Sequence, residues 1–308
     1  MKRRDLIKSA VVGTGAALAA VRGKSSAGAS VSPARAFTPC INQATTMKAD
    51  FKTAMDAYSK AGFRQVELWL DSVSPFLAKN SVAVAKRVMA DLGVDPRSAC
   101  CECEDLFFRG VSDREKKRDA FKHKLDVSAQ LGANRFVMCS GIFKDVSPGD
   151  YAAAVPMLHE IGELGKQFEI VVGIEFIRGA KFLGCVETTS KLLRQVGHPN
   201  LGVLVDTFHF YAGISKLEDI ERLNPGEISW VHINDVPPKP RELLEDTDRV
   251  YVGDGVIPLL KILRTIAGVY QGPASFEVFQ YVDQDPYAVA KKGHDGLARL
   301  LSRLEETS

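Results

Sequence analysis

L-G-V-L-V-D-T-F-H-F, at residues 201–210, is an unbroken apolar run that stops at an aspartate and continues into aromatic and imidazole side chains. I-S-W-V-H-I-N-D, at 228–235, follows the same plan with a histidine near the end. A short run that is apolar throughout, rather than at alternate positions, reads as a strand covered on both faces, as in a parallel sheet flanked by helices. Moving outward, comparable runs stand at F-T-P-C-I (37–41), R-Q-V-E-L-W-L (64–70), R-S-A-C-C-E-C (97–103), N-R-F-V-M-C (134–139), E-I-V-V-G-I-E-F (169–176) and A-S-F-E-V-F (274–279). Between them lie segments of helical period. Phe51, Met55 and Tyr58 recur at intervals of three to four, as do Phe121, Leu125, Val127 and Ala129 to Leu131. Gly62, Gly93 and Gly132 stand where a left-handed helix end is wanted. Eight such units predict the α/β class and a single-domain (β/α)8 TIM barrel over residues 37–308. A doubly wound open sheet fits less well, because no G-x-G-x-x-G follows the first strand. The long irregular stretch Asn234 to Gly255, with Pro237, Pro238 and Pro240, reads as a lid or binding loop.

Charged groups in barrel strands need a reason, and the C-terminal strand ends of this architecture form the active-site face. Glu175, Asp206, His232 and Glu277 close the fifth to eighth strands in succession. Three carboxylates and one imidazole on one side of a barrel mouth repel one another unless a cation joins them. Such an oxygen-rich set suits one divalent metal ion, Mn²⁺, Co²⁺ or Mg²⁺ before Zn²⁺. A metal beside a carbonyl and its neighbouring hydroxyl acidifies the intervening C–H, so the set supports isomerase, epimerase or lyase chemistry without separating them.

The ordered set E…D-T-F-H…H-I-N-D…E resembles the xylose-isomerase-like barrel superfamily. C-I-N-Q-A-T-T (40–46), D-T-F-H-F (206–210), V-H-I-N-D (231–235) and D-R-V-Y-V-G-D-G-V-I (248–257) resemble its 2-keto-myo-inositol (inosose) isomerase branch. Val252 stands where that branch would have proline, and C-C-E-C and V-M-C-S-G match no particular member. The resemblance implies that Glu175, Asp206, His232 and Glu277 hold the metal and that Glu175 and Glu277 act as acid and base. It implies that His209 and Arg249 contact substrate oxygens; the alternatives are a partner that orients a ligand for His209 and a solvated loop charge for Arg249. Glu67 and Trp69 at the end of the second strand are weaker substrate-binding candidates, and packing or hydrogen bonding is the safer reading of both. The implied activity is an isomerase or epimerase working through an enediolate on a small carbohydrate, the alternative being β-elimination from a keto-sugar or 3-keto-glycoside. A related endonuclease would need more histidines at early strand ends than a chain with 6 in total provides. A non-catalytic sugar binder would not need both flanking glutamates.

The N-terminus reads separately. Lys2, Arg3, Arg4 and Lys8 precede an apolar run too short to span a bilayer, with Ala27 and Ala29 placed as in a cleavage site. R-R-D-L-I-K resembles a twin-arginine export signal. Residues 1–29 are therefore expected to be a signal peptide, 30–36 a linker, and the protein periplasmic or otherwise exported by the twin-arginine machinery. The 308-residue chain has a formal net charge of +2, but residues 1–29 carry six Lys/Arg and one Asp, leaving 34 basic and 37 acidic residues beyond them. A barrel at −3 gives no support for a nucleic-acid surface. Adjacent Cys100 and Cys101 face opposite sides of a strand, so buried apolar filling is preferred to a soft-metal site. A long-range disulfide involving Cys40, Cys139 or Cys185 stays open.

Overall fold

The computed structural model describes residues 36–101, 113–139 and 145–306. The expected signal peptide, Cys103 and Ser140–Gly141 lie outside the described residues. Eight parallel strands close into a barrel in chain order: β1 (Phe37–Asn42), β2 (Gln65–Trp69), β3 (Asp95–Cys100), β4 (Arg135–Cys139), β5 (Val171–Glu175), β6 (Leu201–Asp206), β7 (Ile228–Ile233) and β8 (Gly272–Phe276), with β8 pairing back onto β1. The covering helices are α1 (Phe51–Ala61), α2 (Leu70–Leu77), α3 (Val82–Asp91), α4 (Arg114–Leu131), α5 (Pro148–Gln167), α6 (Val186–Val196), α7 (Thr207–Ala212), α8 (Leu217–Glu221), α9 (Leu259–Ala267) and α10 (Pro286–Glu305). This is the (β/α)8 barrel the apolar runs predict. Several strand boundaries shift by one to three residues, and two of the differences bear on the site or its frame. β3 begins two residues before the apolar run, at Asp95-Pro96, because a strand's first residues at the barrel floor tolerate polar side chains and proline. Glu277 sits one residue past the end of β8.

The helical stripes pack as their spacing requires. Phe51, Met55 and Tyr58 are buried on α1, and Phe121 meets Phe136 of β4 edge-on, with ring centroids 5.5 Å apart. Asp50 caps α1, accepting from the amides of Lys52 and Thr53 at 3.0 and 3.2 Å. Gly62 and Gly132 end α1 and α4 at φ values of 107° and 111°, a region open to glycine. Ala36, the last residue of the expected linker, is already buried in the core.

Inside the barrel, Cys40, Cys100, Val137, Leu204 and Trp230 from five strands form a separate cluster, with Trp69 packed on it. Cys40 and Cys100 are thus apolar filling. Cys40, Cys100 and Cys185 are free thiols, whereas Cys139 is disulfide-bonded. Among the described residues, no helix is long and apolar enough to cross a membrane.

Candidate metal centre

The four strand-end residues come together. Glu175, Asp206, His232 and Glu277 each offer a ligand atom within 4.8 Å of the others, and all four are buried. Register explains part of this: Asp206 of β6 lies opposite His232 of β7, which in turn lies opposite Ser275 of β8.

Each side chain is held from behind. Asp206 ends β6 and caps α7, its Oδ1 accepting from the His209 amide at 2.9 Å. Its Oδ2 accepts from Asn234 Nδ2 and Arg249 Nη1, both at 3.0 Å. Glu277 Oε1 accepts from Asn42 Nδ2 at 2.7 Å, and its Oε2 accepts a very short bond from Arg249 Nη1. His232 Nε2 lies 3.0 and 3.2 Å from the two oxygens of the fully buried Glu67. Glu67 Oε2 also accepts from Trp230 Nε1 and Ser275 Oγ, each at 2.7 Å.

With Nε2 turned to a carboxylate, Nδ1 is the His232 atom that faces the cluster. It lies 3.1 Å from Glu277 Oε2 and 3.4 Å from Glu175 Oε1, without hydrogen-bond geometry to either. His232 Nδ1 and Glu175 Oε1 are buried atoms with no hydrogen-bond partner. Orphaned donors or acceptors of this kind are rare in a folded interior and mark a place where another group belongs. Three carboxylate groups, one imidazole nitrogen oriented by a carboxylate behind it, and two orphaned atoms fit a divalent cation.

The electrostatics agree. Burial pushes the Glu175 carboxyl above its usual range, despite His232 and His209 nearby. Burial acts on Glu277 in the same sense, but the His232 and Arg249 charges outweigh it and bring Glu277 down to about 2. For His232, burial disfavours the cation, yet Glu277 and Glu67 hold its pKa well above the ordinary imidazole value. The cluster therefore draws in positive charge from every available source.

Arg249 is not a solvated loop charge. It is 2% exposed, its guanidinium carbon lies 4.9 and 4.8 Å from the ring centroids of Phe208 and Phe279, and Nη2 donates to Asp246 Oδ1 at 2.9 Å. The loop after β7 brings it there. Asp235 accepts four backbone amides, from Val236, Gly253, Gly255 and Ile257, at 2.9 to 3.2 Å, and pairs with Val250 through the main chain. A β-carbon on Gly255 would stand 2.3 Å from Val236 O and 2.4 Å from Asp235 Oδ1, which accounts for the glycine there. Val252, in place of the expected proline, is buried in the core.

His209 lies one helical turn beyond Asp206. Its Nδ1 accepts from the Arg178 amide at 3.3 Å, and its Nε2 stands 3.2 Å from Arg249 Nη2 and 4.0 Å from Glu175 Oε1. Trp69 is half-buried at the end of β2, its amide donating to Gln43 Oε1 at 3.2 Å. Sequence reading missed Asn42, Asn234, Asp235 and Asp246. The first three sit in quoted motifs at strand ends, where a polar residue on a buried strand is itself the signal.

A model of the xylose isomerase-like TIM barrel family matches residues 55–300. The chain belongs to that family. Within it, the chain is 27% identical over 266 residues to a 3-dehydroshikimate dehydratase of Pseudomonas putida, covering 82% of this chain but only 40% of that protein. It is 24% identical over 277 residues to an inosose isomerase of Halalkalibacterium halodurans, covering 86% of this chain and 96% of that one. The crystal structure of an IolI protein with a bound zinc atom superposes with a TM-score of 0.80 at 20% identity, over 87% of this chain and 99% of that one. The relatives are enzymes, and together with the buried four-residue cluster they point to a divalent-metal site in this xylose isomerase-like barrel.

Proposed function

We propose that this xylose isomerase-like barrel is an exported, divalent-metal-dependent enzyme that isomerises or epimerises a sugar or inosose. The observation that carries the reading is the buried cluster, in which His232 Nδ1 lies 3.4 Å from Glu175 Oε1 and 3.1 Å from Glu277 Oε2. The inosose isomerase matched along nearly its whole length supports the substrate class. Glu175, Asp206, Glu277 and His232 Nδ1 would hold the ion, with Mn²⁺ or Co²⁺ favoured by the oxygen-rich set and Zn²⁺ or Mg²⁺ also accommodated. A bound ion supplies Lewis acidity toward the substrate's carbonyl and the neighbouring hydroxyl.

The protein's own groups do the proton work. Glu277 would take the proton from the carbon beside the carbonyl. Glu175, facing the cluster from β5, would return one. Return to the opposite face of the same carbon epimerises it, and delivery to the neighbouring carbon moves the carbonyl. His209 and Arg249, adjoining the cluster, would meet substrate oxygens, and Trp69 would border the pocket from β2. If a hydroxyl or aglycone departs from the β-carbon after proton removal, the same residues act as a lyase. The dehydratase relative at 27% identity favours that second reading, and the export proposed above would suit a keto-glycoside generated outside the cytoplasmic membrane.

Incubation in D₂O with ketoses, inososes and 3-keto-glycosides, followed by NMR, tests both. Deuterium beside the carbonyl with the skeleton intact supports isomerase or epimerase, and release of water or an aglycone supports lyase. Chelation should abolish turnover, Mn²⁺ or Co²⁺ restore it, and Glu277→Gln fold normally without turning over. Full activity after complete metal removal would sink the mechanism.

A further inference from the structure

The opposite end of the barrel holds a cavity of about 280 Å³ with no part in the chemistry above. It opens where strands begin: Arg135 is the first residue of β4, Ile228 of β7 and Gly272 of β8, while Arg97 comes from the first half of β3. Trp230 borders it on the side toward the metal centre, and Tyr270 forms another wall, its hydroxyl already donating to Pro273 O at 2.8 Å. Among the described residues none that lines it is acidic, yet two guanidinium groups do.

These arginines are under-used. Arg97 pairs through Nη1 with the exposed Asp95 at 3.2 Å, while its Nε is buried without a hydrogen-bond partner. Arg135 donates through Nη1 to Asn134 O at 2.9 Å, a neutral acceptor one residue away. Burial and, after the opposing influence of Tyr270, the charge of Arg97 both disfavour the Arg135 cation. Two like charges sharing a cavity with an orphaned donor are stabilised by an anion between them, and guanidinium forks match phosphate and carboxylate oxygens two at a time. The volume is that of roughly nine waters at about 30 Å³ each, enough for an oxyanion on a small organic body.

We propose that the N-terminal end of the barrel is an oxyanion-binding site, in which Arg97 and Arg135 grip the phosphate or carboxylate of a small molecule against Trp230. The site is connected to the metal centre: the Trp230 indole that borders the cavity donates to Glu67, which in turn holds His232.

The two tryptophans of the chain make the test direct, since Trp69 lies at the other end of the barrel. In metal-loaded Trp69→Phe protein, Trp230 alone reports. Titration with inorganic phosphate or malonate, at ionic strength held constant with chloride, should change its emission saturably. The tighter of the two probes identifies phosphate or carboxylate as the natural group. Arg135→Gln and Arg97→Gln, each in the Trp69→Phe background, should each weaken binding at least tenfold, with Arg299→Gln as the control. The partly exposed Arg97 keeps the test decisive if Arg135→Gln fails to fold. A response that is absent, does not saturate, or survives either folded arginine variant overturns the proposal. Because emission rather than turnover is read, that result leaves the catalytic reading untouched.

Discussion

Glu67→Gln changes one buried oxygen to an amide nitrogen and almost nothing in volume, so its consequences follow from hydrogen-bond polarity alone. Glu67 Oε2 meets three donors, from Trp230, Ser275 and His232 at 2.7, 2.7 and 3.0 Å, whereas Oε1 meets His232 Nε2 alone at 3.2 Å. The variant amide must keep its oxygen toward Trp230 and Ser275, leaving its NH₂ against His232 Nε2. That nitrogen then accepts, and the imidazole proton moves to Nδ1, the atom facing Glu175 and Glu277. A metal ligand becomes a donor. The oriented carboxylate behind a ligating histidine is typically worth ~10–100-fold in metal affinity, which is ~1.4–2.8 kcal/mol. Competition with a chromogenic chelator measures the loss, and ¹⁵N NMR of the histidine rings reads the tautomer. Glu67→Gln that folds, retains the Nε2–H tautomer and binds Co²⁺ within twofold of the parent would refute the reasoning.

Other outcomes follow from the same contacts. Arg249→Met removes the cation between Asp206 and Glu277 and should destabilise the metal-free protein by about 3 kcal/mol; saturating Zn²⁺ should recover much of this in thermal melts. Gly255→Ala drives a β-carbon into Val236 O and Asp235 and should cost ~1–3 kcal/mol in denaturant titrations and most of the turnover. Asp50→Ala should cost about 1 kcal/mol near neutral pH by loss of the α1 cap. The Thr53 side chain, followed by the capped amides, lowers the Asp50 pKa, so the contribution is present above the unfolded value of 3.8 and lost as pH falls through the lower folded value. The stability gap between parent and Asp50→Ala should therefore close in acid, and a gap unchanged by acid would contradict the assignment.

What sequence could reveal tracks the range of the interactions. The barrel was legible because apolar runs and helical stripes are local consequences of burial on a parallel sheet. The metal cluster was legible because Glu175, Asp206, His232 and Glu277 each break an apolar run at the same end of a strand. Glu67 breaks such a run too, but its partner His232 lies 165 positions away, and nothing near it in the chain names that partner. Arg249 was harder still. It sits among Asp246, Asp248 and other charges, a composition that reads as solvated, and its burial depends on how the loop folds across the barrel mouth. Cys139 shows the same limit: its pairing depends on proximity that spacing does not encode.

The Asp235 clasp has a consequence for how this site can change. Its carboxylate accepts four backbone amides and its main chain pairs with Val250, so the two ends of the loop are fixed by one side chain and otherwise by chain geometry. The stretch between them, residues 237–245, is anchored through Leu244, buried in the core with its carbonyl accepting from Arg178, and through Arg241 over the Tyr211 ring. With Leu244 and Arg241 kept, the rest of that stretch should be open to rewriting without resetting Asp206, His232 or the strands that carry them. New substrate ranges on this scaffold, natural or engineered, should enter there first.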